Sequence, residues 1–311
     1  MRFIGIFILL GLLLPHQLFA LPEVKPTFPR LANYFLHWTI SEAEARELAK
    51  FDLVILDAEA QERSRAELKL LRHLNPRAIL LAYVPAAEIR RDVASLREIA
   101  PLRYKLGAGV PEQWYVHDAA GARRSFWPGT WIVNVTNFAT RTELSSVGTE
   151  LSSGGPMRWN EYLPQFVARE ILANDIWDGV FYDNAWDEIV HFARGAPDLD
   201  GDGAPDEAVQ ANRAWQQGLR ALYAHTRALA PNKLIVQNDG VIYAPEVHGV
   251  LLENFPRKGF ARYLKDLRVI REQARDPAIP ILNATTFNTG AREDWRAIRF
   301  GLGAALFTDS F

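Results

Sequence analysis

The stretch Asp178-Gly179-Val180-Phe181-Tyr182-Asp183-Asn184 is an unbroken apolar run opened by a glycine and closed by a carboxylate and an amide. A run of that length without polar alternation fits a strand covered on both faces. Gly249-Val250-Leu251-Leu252-Glu253-Asn254 has the same form, and further runs lie at Leu31–Leu36, Leu53–Leu56, Ala78–Val84, Trp131–Val135, Leu234–Gln237 and Ile279–Leu282. Helical patterns separate them. Ser41 with Glu44 and Ser64 with Glu67 read as capping boxes, and Asn75-Pro76 stops the second of these helices. Tyr162, Phe166 and Ile171 mark a helix, Ala211, Trp215, Leu219 and Leu222 a longer one, and Leu264, Leu267 and Ile270 another. Eight such units in 311 residues predict an α/β protein, a (β/α)8 TIM barrel forming a single domain over residues 30–311. No Gly-rich dinucleotide or phosphate loop follows any of the runs, which argues against a doubly wound sheet.

Two segments break this rhythm. Between Pro101 and Pro128 the helical spacing stops, and Trp114–His117, Asp118–Gly121 and Arg123–Trp127 read as a hairpin insertion after the third strand–helix unit. Ala304-Ala305-Leu306-Phe307 is a ninth strand-like run. Either one of the eight runs is not a barrel strand, or the chain stops partway through a longer domain.

The N-terminus reads as an export signal. Arg2 flanks the apolar run Phe3–Leu14, and Ala20 offers a cleavage point before Leu21-Pro22. Residues 1–20 are thus expected to be removed, 21–29 to form an extended lead-in, and the protein to be secreted or periplasmic, without membrane association after cleavage. An uncleaved N-terminal anchor is the alternative, since Leu18 stands where a small residue is usual. The absence of cysteine excludes disulfide frameworks, thiolate metal sites and cysteine nucleophiles. A balance of 35 basic against 37 acidic residues gives no footprint for nucleic acid. The chain is read as a monomer.

In a barrel, chemistry gathers at the C-terminal ends of the strands. Asp57 and Glu59 follow the second run, Tyr83 and Glu88 belong to the third, and Asn134 ends the fourth; Asp183-Asn184, Asn238, Glu253-Asn254 and Asn283 close the remainder. Singly, each Asp or Asn here is as easily a turn or helix-cap residue. Jointly they suit a sugar cleft, with amides and carboxylates pairing to hydroxyls and aromatic faces stacking on rings. Glycoside hydrolysis needs one carboxylate at the anomeric centre and one acid at the leaving oxygen. Asp183 and Glu253, on different strands facing one mouth, are the candidate pair. Asp57, Glu59, Tyr83, Asn134, Asn184, Trp186, Asn238, Asn254 and Asn283 are candidate substrate-binding residues. Trp127-Pro128 and Trp131 are either a stacking platform or buried packing.

Taken in order, Leu80-Leu81-Ala82-Tyr83-Val84-Pro85, Asp178–Asn184, Ile235-Val236-Gln237-Asn238-Asp239 and Gly249–Asn254 resemble the secreted glycoside hydrolases related to the endo-α-1,4-polygalactosaminidases. The likeness runs from about Tyr34 to Asn283. It implies a (β/α)8 hydrolase in which Asp183 matches the nucleophile and Glu253 the general acid/base. That family's third-strand segment often reads Tyr-X-Ser-Val-Gly-Glu, whereas Tyr83-Val84-Pro85-Ala86-Ala87-Glu88 stands here. The resemblance therefore carries the mechanism class and not the sugar.

Asp198-Leu199-Asp200-Gly201-Asp202-Gly203-Ala204-Pro205-Asp206 places carboxylates at loop positions 1, 3, 5 and 9 and glycine at 6, the arrangement of a calcium loop. Val209 at position 12 departs from a full EF-hand. Asp198, Asp200, Asp202, the Ala204 carbonyl and Asp206 are the expected ligands of a structural Ca2+; a solvated acidic turn is the plainer alternative. No organic cofactor is implied. The sequence thus points to a secreted glycosidase acting on a polysaccharide or oligosaccharide. A catalytically inactive TIM-barrel protein that binds polysaccharide with the same groups is the competing reading.

Overall fold

The computed structural model describes residues 21–25, 27–143, 155–257, 259–284 and 295–311. The expected signal, Met1–Ala20, lies outside the described residues. Seven parallel strands form a near-closed TIM-barrel sheet: β1 (Ala32–Phe35), β2 (Leu53–Asp57), β3 (Ile79–Pro85), β6 (Gly179–Asp183), β7 (Leu234–Asn238), β8 (Gly249–Phe255) and β9 (Ile279–Ala284). They pair in that order, with Asp57 opposite Tyr83 and Pro85 opposite Asp183. On the edge of β9 that β8 leaves open, the Phe311 N–H donates to Pro280 O at 2.9 Å and the Leu282 N–H donates to Phe311 O at 3.0 Å.

The strand expected at Trp131–Val135 is not in the barrel, for β3 pairs directly with β6. Its residues instead enter β5 (Thr130–Ile132), antiparallel to β4 (Glu88–Arg90) in a separate two-stranded sheet. One of the eight expected strands is thus replaced by an insertion that folds back over the barrel mouth. Within it, His117 bridges Arg123 around a turn at Asp118–Gly121, as a hairpin requires. Pro101–Gly107, read above as non-helical, forms helix α4 with proline at its first turn, where the missing N–H has no helical acceptor to lose.

The strand-like Ala304–Phe307 lies inside helix α9 (Trp295–Thr308), because four consecutive apolar residues carry no period of their own. The capping box at Ser41 and Glu44 forms at the start of α1 (Glu42–Leu48). The one at Ser64 and Glu67 does not: Ser64 Oγ accepts the Ile40 N–H at 2.9 Å, leaving helix α3 (Arg65–Leu74) without a side-chain cap. Helix α5 (Trp159–Phe166) leads into a π-helical turn, Val167–Ile171, before β6. The long helix α7 (Ala208–Leu229) begins at Glu207, whose carboxylate accepts the N–H groups of Val209 and Gln210. Among the described residues no helix is long and apolar enough to cross a membrane.

The apolar strands serve two cores. Leu53, Ile55, Ile79, Leu81, Phe181, Leu234, Val236, Leu251, Ile279 and Ile281 fill the barrel interior with Phe311. Val54, Leu56, Leu80, Val180, Tyr182, Val250 and Leu252 face outward under the helices. Continuous hydrophobicity thus conceals a strict two-residue pleat.

Close approach of layers requires glycine at Gly218 in α7, where an added Cβ would stand 2.1 Å from the Val135 carbonyl oxygen. Gly218→Ala is expected to destabilise the protein by roughly 2 kcal/mol. Gly303→Ala, where no neighbouring atom lies within 4 Å, is expected to be neutral or stabilising by up to about 1 kcal/mol. Thermal denaturation of the two variants side by side checks both.

Candidate active site

The same pleat sets the site. Interior positions on β2 run Leu53, Ile55 and then Asp57; on β3, Ile79, Leu81 and Tyr83. On β6 Phe181 is followed by Asp183, on β7 Val236 by Asn238, and on β8 Leu251 by Glu253. Each of these strands presents apolar side chains to the core until it nears its C-terminal end, where a polar group emerges into the mouth. These five groups line a cleft of about 800 Å³ together with residues of the insertion and of the loops after β6 and β7.

Three donors converge on Asp183. The Tyr83 hydroxyl donates to Oδ2 at 2.6 Å, while the Asn184 N–H and the Asn238 side-chain amide donate to Oδ1 at 2.8 and 2.9 Å. The first donor comes from the neighbouring strand, the second from the next residue in a left-handed turn (φ 56°), the third from the strand beyond. Burial, with Asp183 beside it, holds the Tyr83 phenol protonated far above its ordinary range. Asn238 Nδ2 also reaches Glu253 Oε2 at 3.3 Å. One amide nitrogen therefore serves both carboxylates. Their nearest oxygens can be no farther apart than those two hydrogen bonds laid end to end.

Asp57 also faces the cleft, where it accepts the Glu59 N–H at 3.0 Å and pairs with Arg103 of α4. Glu59 is fully buried beneath the mouth; its carboxylate accepts the Arg103 N–H in the first turn of α4 and fastens the insertion to β2. Asn134 is buried too: its amide donates to Leu199 O at 2.8 Å and accepts from the Thr136 N–H. Asn184, Trp186 and Asn238 line the cleft, whereas Glu59, Asn134, Asn254 and Asn283 are not among its lining residues. Asn254 stands one step out of phase with Glu253, beside an irregularity in the β8–β9 pairing.

Several lining residues carried no sequence signal as site residues, among them Arg90, Arg103 and Asp187. Trp127, left open above between platform and packing, stands on the rim with 52% of its surface exposed. Its indole Nε1 donates to Asn184 Oδ1 at 3.3 Å. Trp186 lies stacked on Phe192 with centroids 4.4 Å apart.

Glu88, only 6% exposed, also lines the cleft. Thr130 Oγ1 lies 2.9 Å from its Oε1, and the Asn184 amide donates to its Oε2 at 2.8 Å. Burial pushes the Glu88 carboxyl up to about 7, aided by the Asp183 charge and opposed by hydrogen bonds from Thr130 and the Trp127 backbone. The family-like segment marked Glu88, but its partners come from the insertion's return strand and from the turn after β6. Because the unfolded chain ionises this group first as pH rises from the ordinary carboxylate range, the fold loses stability between about pH 4.5 and 7. Glu88→Gln is expected to remove this loss, gaining on the order of 2 kcal/mol over wild type at pH 8 and little at pH 4. Denaturant unfolding of both proteins at the two pH values checks it.

The acidic loop lies behind the insertion. Asp198, Asp200 and Asp202 each offer a carboxylate oxygen, all within 4.8 Å of one another. Asp198 accepts the N–H groups of Gly201, Asp202 and Gly203, and Asp202 accepts that of Ala204, so the loop winds around its own carboxylates. Asp206 turns aside to accept the Leu199 N–H at 2.7 Å, its carboxyl raised by burial and by the three neighbouring aspartates. The Asp198 N–H donates to His117 O at 2.9 Å, which with the Asn134–Leu199 bond ties this loop to the insertion.

No curated protein matches the chain. Among solved structures it is similar to the glycoside hydrolase domain of PelA from Pseudomonas aeruginosa, at 15% identity over 78% of this chain and 80% of that one, with a TM-score of 0.47. A GH36 alpha-galactosidase from Geobacillus stearothermophilus is 10% identical over 90% of this chain and 42% of its own, TM-score 0.45. Amy13B of Eubacterium rectale is 7% identical over 81% and 57%, TM-score 0.46. The sequence matches the profile of the hypothetical glycosyl hydrolase family 15 over residues 72–310, most of its length, and the chain belongs to that family.

Proposed function

We propose that the protein hydrolyses glycosidic bonds of a polysaccharide or oligosaccharide, with Asp183 as nucleophile and Glu253 as general acid/base. The observation that carries this reading is the Asn238 amide nitrogen shared by the two carboxylates. Laid end to end, its two bonds fall short of the ~6.5 Å at which inverting enzymes begin to admit a water between their acids. The retaining course follows. An Asp183 oxygen attacks the anomeric carbon as Glu253 gives its proton to the departing oxygen, leaving a glycosyl ester on Asp183. Glu253, now ionised, takes a proton from water; the water oxygen attacks the same carbon and Asp183 leaves. Tyr83, Asn184 and Asn238 keep the Asp183 carboxylate plane fixed through both steps. The N-terminal apolar segment supports secretion or a periplasmic location.

Asp183→Asn and Glu253→Gln are each expected to lower reducing-end release from a panel of bacterial exopolysaccharides by at least about a thousandfold, while sugar binding persists. Azide is expected to restore turnover to a Glu253→Ala variant, giving a glycosyl azide of retained configuration. Wild-type binding without release on any substrate would instead identify an inactive polysaccharide-binding barrel.

The Asp198–Asp206 loop is the proposed seat of a structural Ca2+. Its donors are all hard oxygens, and three carboxylates held this close repel one another unless a cation lies between them. Asp198, Asp200, Asp202 and the Ala204 carbonyl would hold the ion, and Asp206 would complete the set. Bound there, it would brace the insertion against the loop after β6. Calcium in hundredfold excess over its dissociation constant is expected to stabilise the protein by about 2.7 kcal/mol, and Asp200→Asn to abolish the gain. Identical melting in chelator and in millimolar calcium would rule the site out.

A further inference from the structure

Asp57 faces the cleft but is only 2% exposed, and both its oxygens are engaged, one by the Glu59 N–H and one by the Arg103 guanidinium. A carboxylate so enclosed has little left to offer a sugar hydroxyl. What it presents to the cleft is Arg103, whose side chain is 21% exposed. The three guanidinium nitrogens differ in their surroundings. Nη2 is bonded to Asp57, and Nε is buried with no acceptor among the described residues. Nη1 also has no partner among the described residues and is not enclosed, so its two N–H groups are donors open to a ligand.

This arm is held still. The Arg103 backbone N–H donates to Glu59, Nη2 to Asp57, and the guanidinium carbon lies 5.5 Å from the centre of the Trp38 ring. Arg90 stands over the same ring at 5.8 Å but gives both Nε and Nη2 to Asp92, and Arg262 faces Asp266 at 3.8 Å. Strand order then fixes which part of a substrate meets Arg103. Asp57 on β2 is opposite Tyr83 on β3, and β3 pairs with β6, which carries Asp183. On the other side of Asp183 follow Asn238 on β7 and Glu253 on β8. With strands about 4.8 Å apart, Arg103 is anchored roughly 10 Å from Asp183, a span that one pyranose ring with its substituents fills. The leaving oxygen must face Glu253, so the sugar that becomes bonded to Asp183 extends towards β3 and β2. We propose that Arg103 donates from Nη1 to an uncharged oxygen, a hydroxyl or a carbonyl, of the sugar on which Asp183 acts, and that Asp57 is the positioning residue that aims it. The proposal rests on the glycosidase reading for the roles of Asp183 and Glu253. The acceptor is uncharged because Asp57 already balances the guanidinium. A lysine would not serve, since an ammonium satisfying Asp57 has no second arm of fixed geometry.

Two variants keep the fold out of the test. Arg103→Lys retains a cation for Asp57, and Arg103→Met with Asp57→Asn removes both charges together; the Glu59 anchor is to the backbone and survives in each. Binding is measured first, by calorimetry with a panel of oligosaccharides on protein carrying Asp183→Asn, so that no cleavage is required. Both variants are expected to weaken the tightest-binding sugar about thirtyfold, the worth of a hydrogen bond from a charged donor. Unchanged affinity would overturn the proposal whether or not the protein cleaves sugars, whereas a parent that binds no sugar would remove the glycosidase reading and the proposal with it. Tighter binding of a uronic-acid oligosaccharide than of its neutral counterpart would overturn the uncharged acceptor. Cleavage is measured second, by rapid-quench kinetics. The sugar bonded to Asp183 is present in both steps, so Arg103→Lys is expected to slow formation and hydrolysis of the glycosyl-enzyme alike, each about tenfold. Hydrolysis at the wild-type rate would place Arg103 on the departing sugar and overturn the assignment. Asp57→Asn is expected to raise KM about tenfold in the wild type and less than about twofold in Arg103→Lys. Additive losses would show that Asp57 does not act through Arg103.

Discussion

A parallel strand offers the barrel interior one side chain in every two residues, and this period governs where the chemistry stands. Phe181 lies at mid-depth, in contact with Tyr34 and Tyr83, with ring centroids 5.5 and 6.2 Å away. Below it the inward positions are aliphatic; above it they are Asp57, Tyr83, Asp183, Asn238 and Glu253. The aromatic layer floors the cleft beneath the carboxylates and leaves them little choice of direction. A one-residue slip of any strand would carry its polar end group out beneath the helices and bring an outer-layer residue such as Leu56 or Leu252 into the mouth.

The insertion between β3 and β6 turns this mouth into a cleft. It is anchored where carboxylates meet its backbone and guanidinium groups: Glu59 on the Arg103 N–H, Asp57 on the Arg103 side chain. Its far side is held by the loop after β6, through His117, Asn134 and Leu199. Fastened on both sides, the returning strand brings Thr130 and Trp127 over Glu88 and Asn184. The rim aromatic is therefore coupled to the turn that carries Asp183, although Trp127 and Asn184 are 57 positions apart in the chain.

The barrel strands were legible because fully buried parallel strands must be apolar throughout, and Asp183 and Glu253 because they interrupt such runs at one end. Asp57, Tyr83 and Asn238 could be read from the same pattern once its parity is counted. Parity also sets aside Asn254, one step out of phase. Trp131–Val135 misled because an antiparallel strand covered by an insertion is as apolar as a parallel strand covered by helices. Asn134 followed that error to a buried tie with Leu199. Ala304–Phe307 misled because a short apolar run has no detectable period. The Glu88 network was not legible: its donors come from Thr130, Trp127 and Asn184, brought together only when a segment of more than forty residues closes on the barrel.

Asn238 carries a cost that shows what the site is built around. Its Nδ2 faces Asp183 and Glu253, while its buried Oδ1 has no hydrogen-bond partner among the described residues. An unpaired buried amide oxygen is unfavourable by about 1–3 kcal/mol, and rotating the amide would satisfy neither carboxylate. The observed orientation persists because two acidic groups that close repel in a medium of low dielectric unless a donor stands between them. A leucine at position 238 would suit the aliphatic layer below and leave the acids facing each other unscreened. An aspartate there would add a third negative charge. Asparagine is neutral, short enough to remain at the strand's end, and presents two hydrogens from one nitrogen, so it can serve two carboxylates on opposite sides. The separation of the two carboxylates is therefore set from the middle, by the span of one amide group.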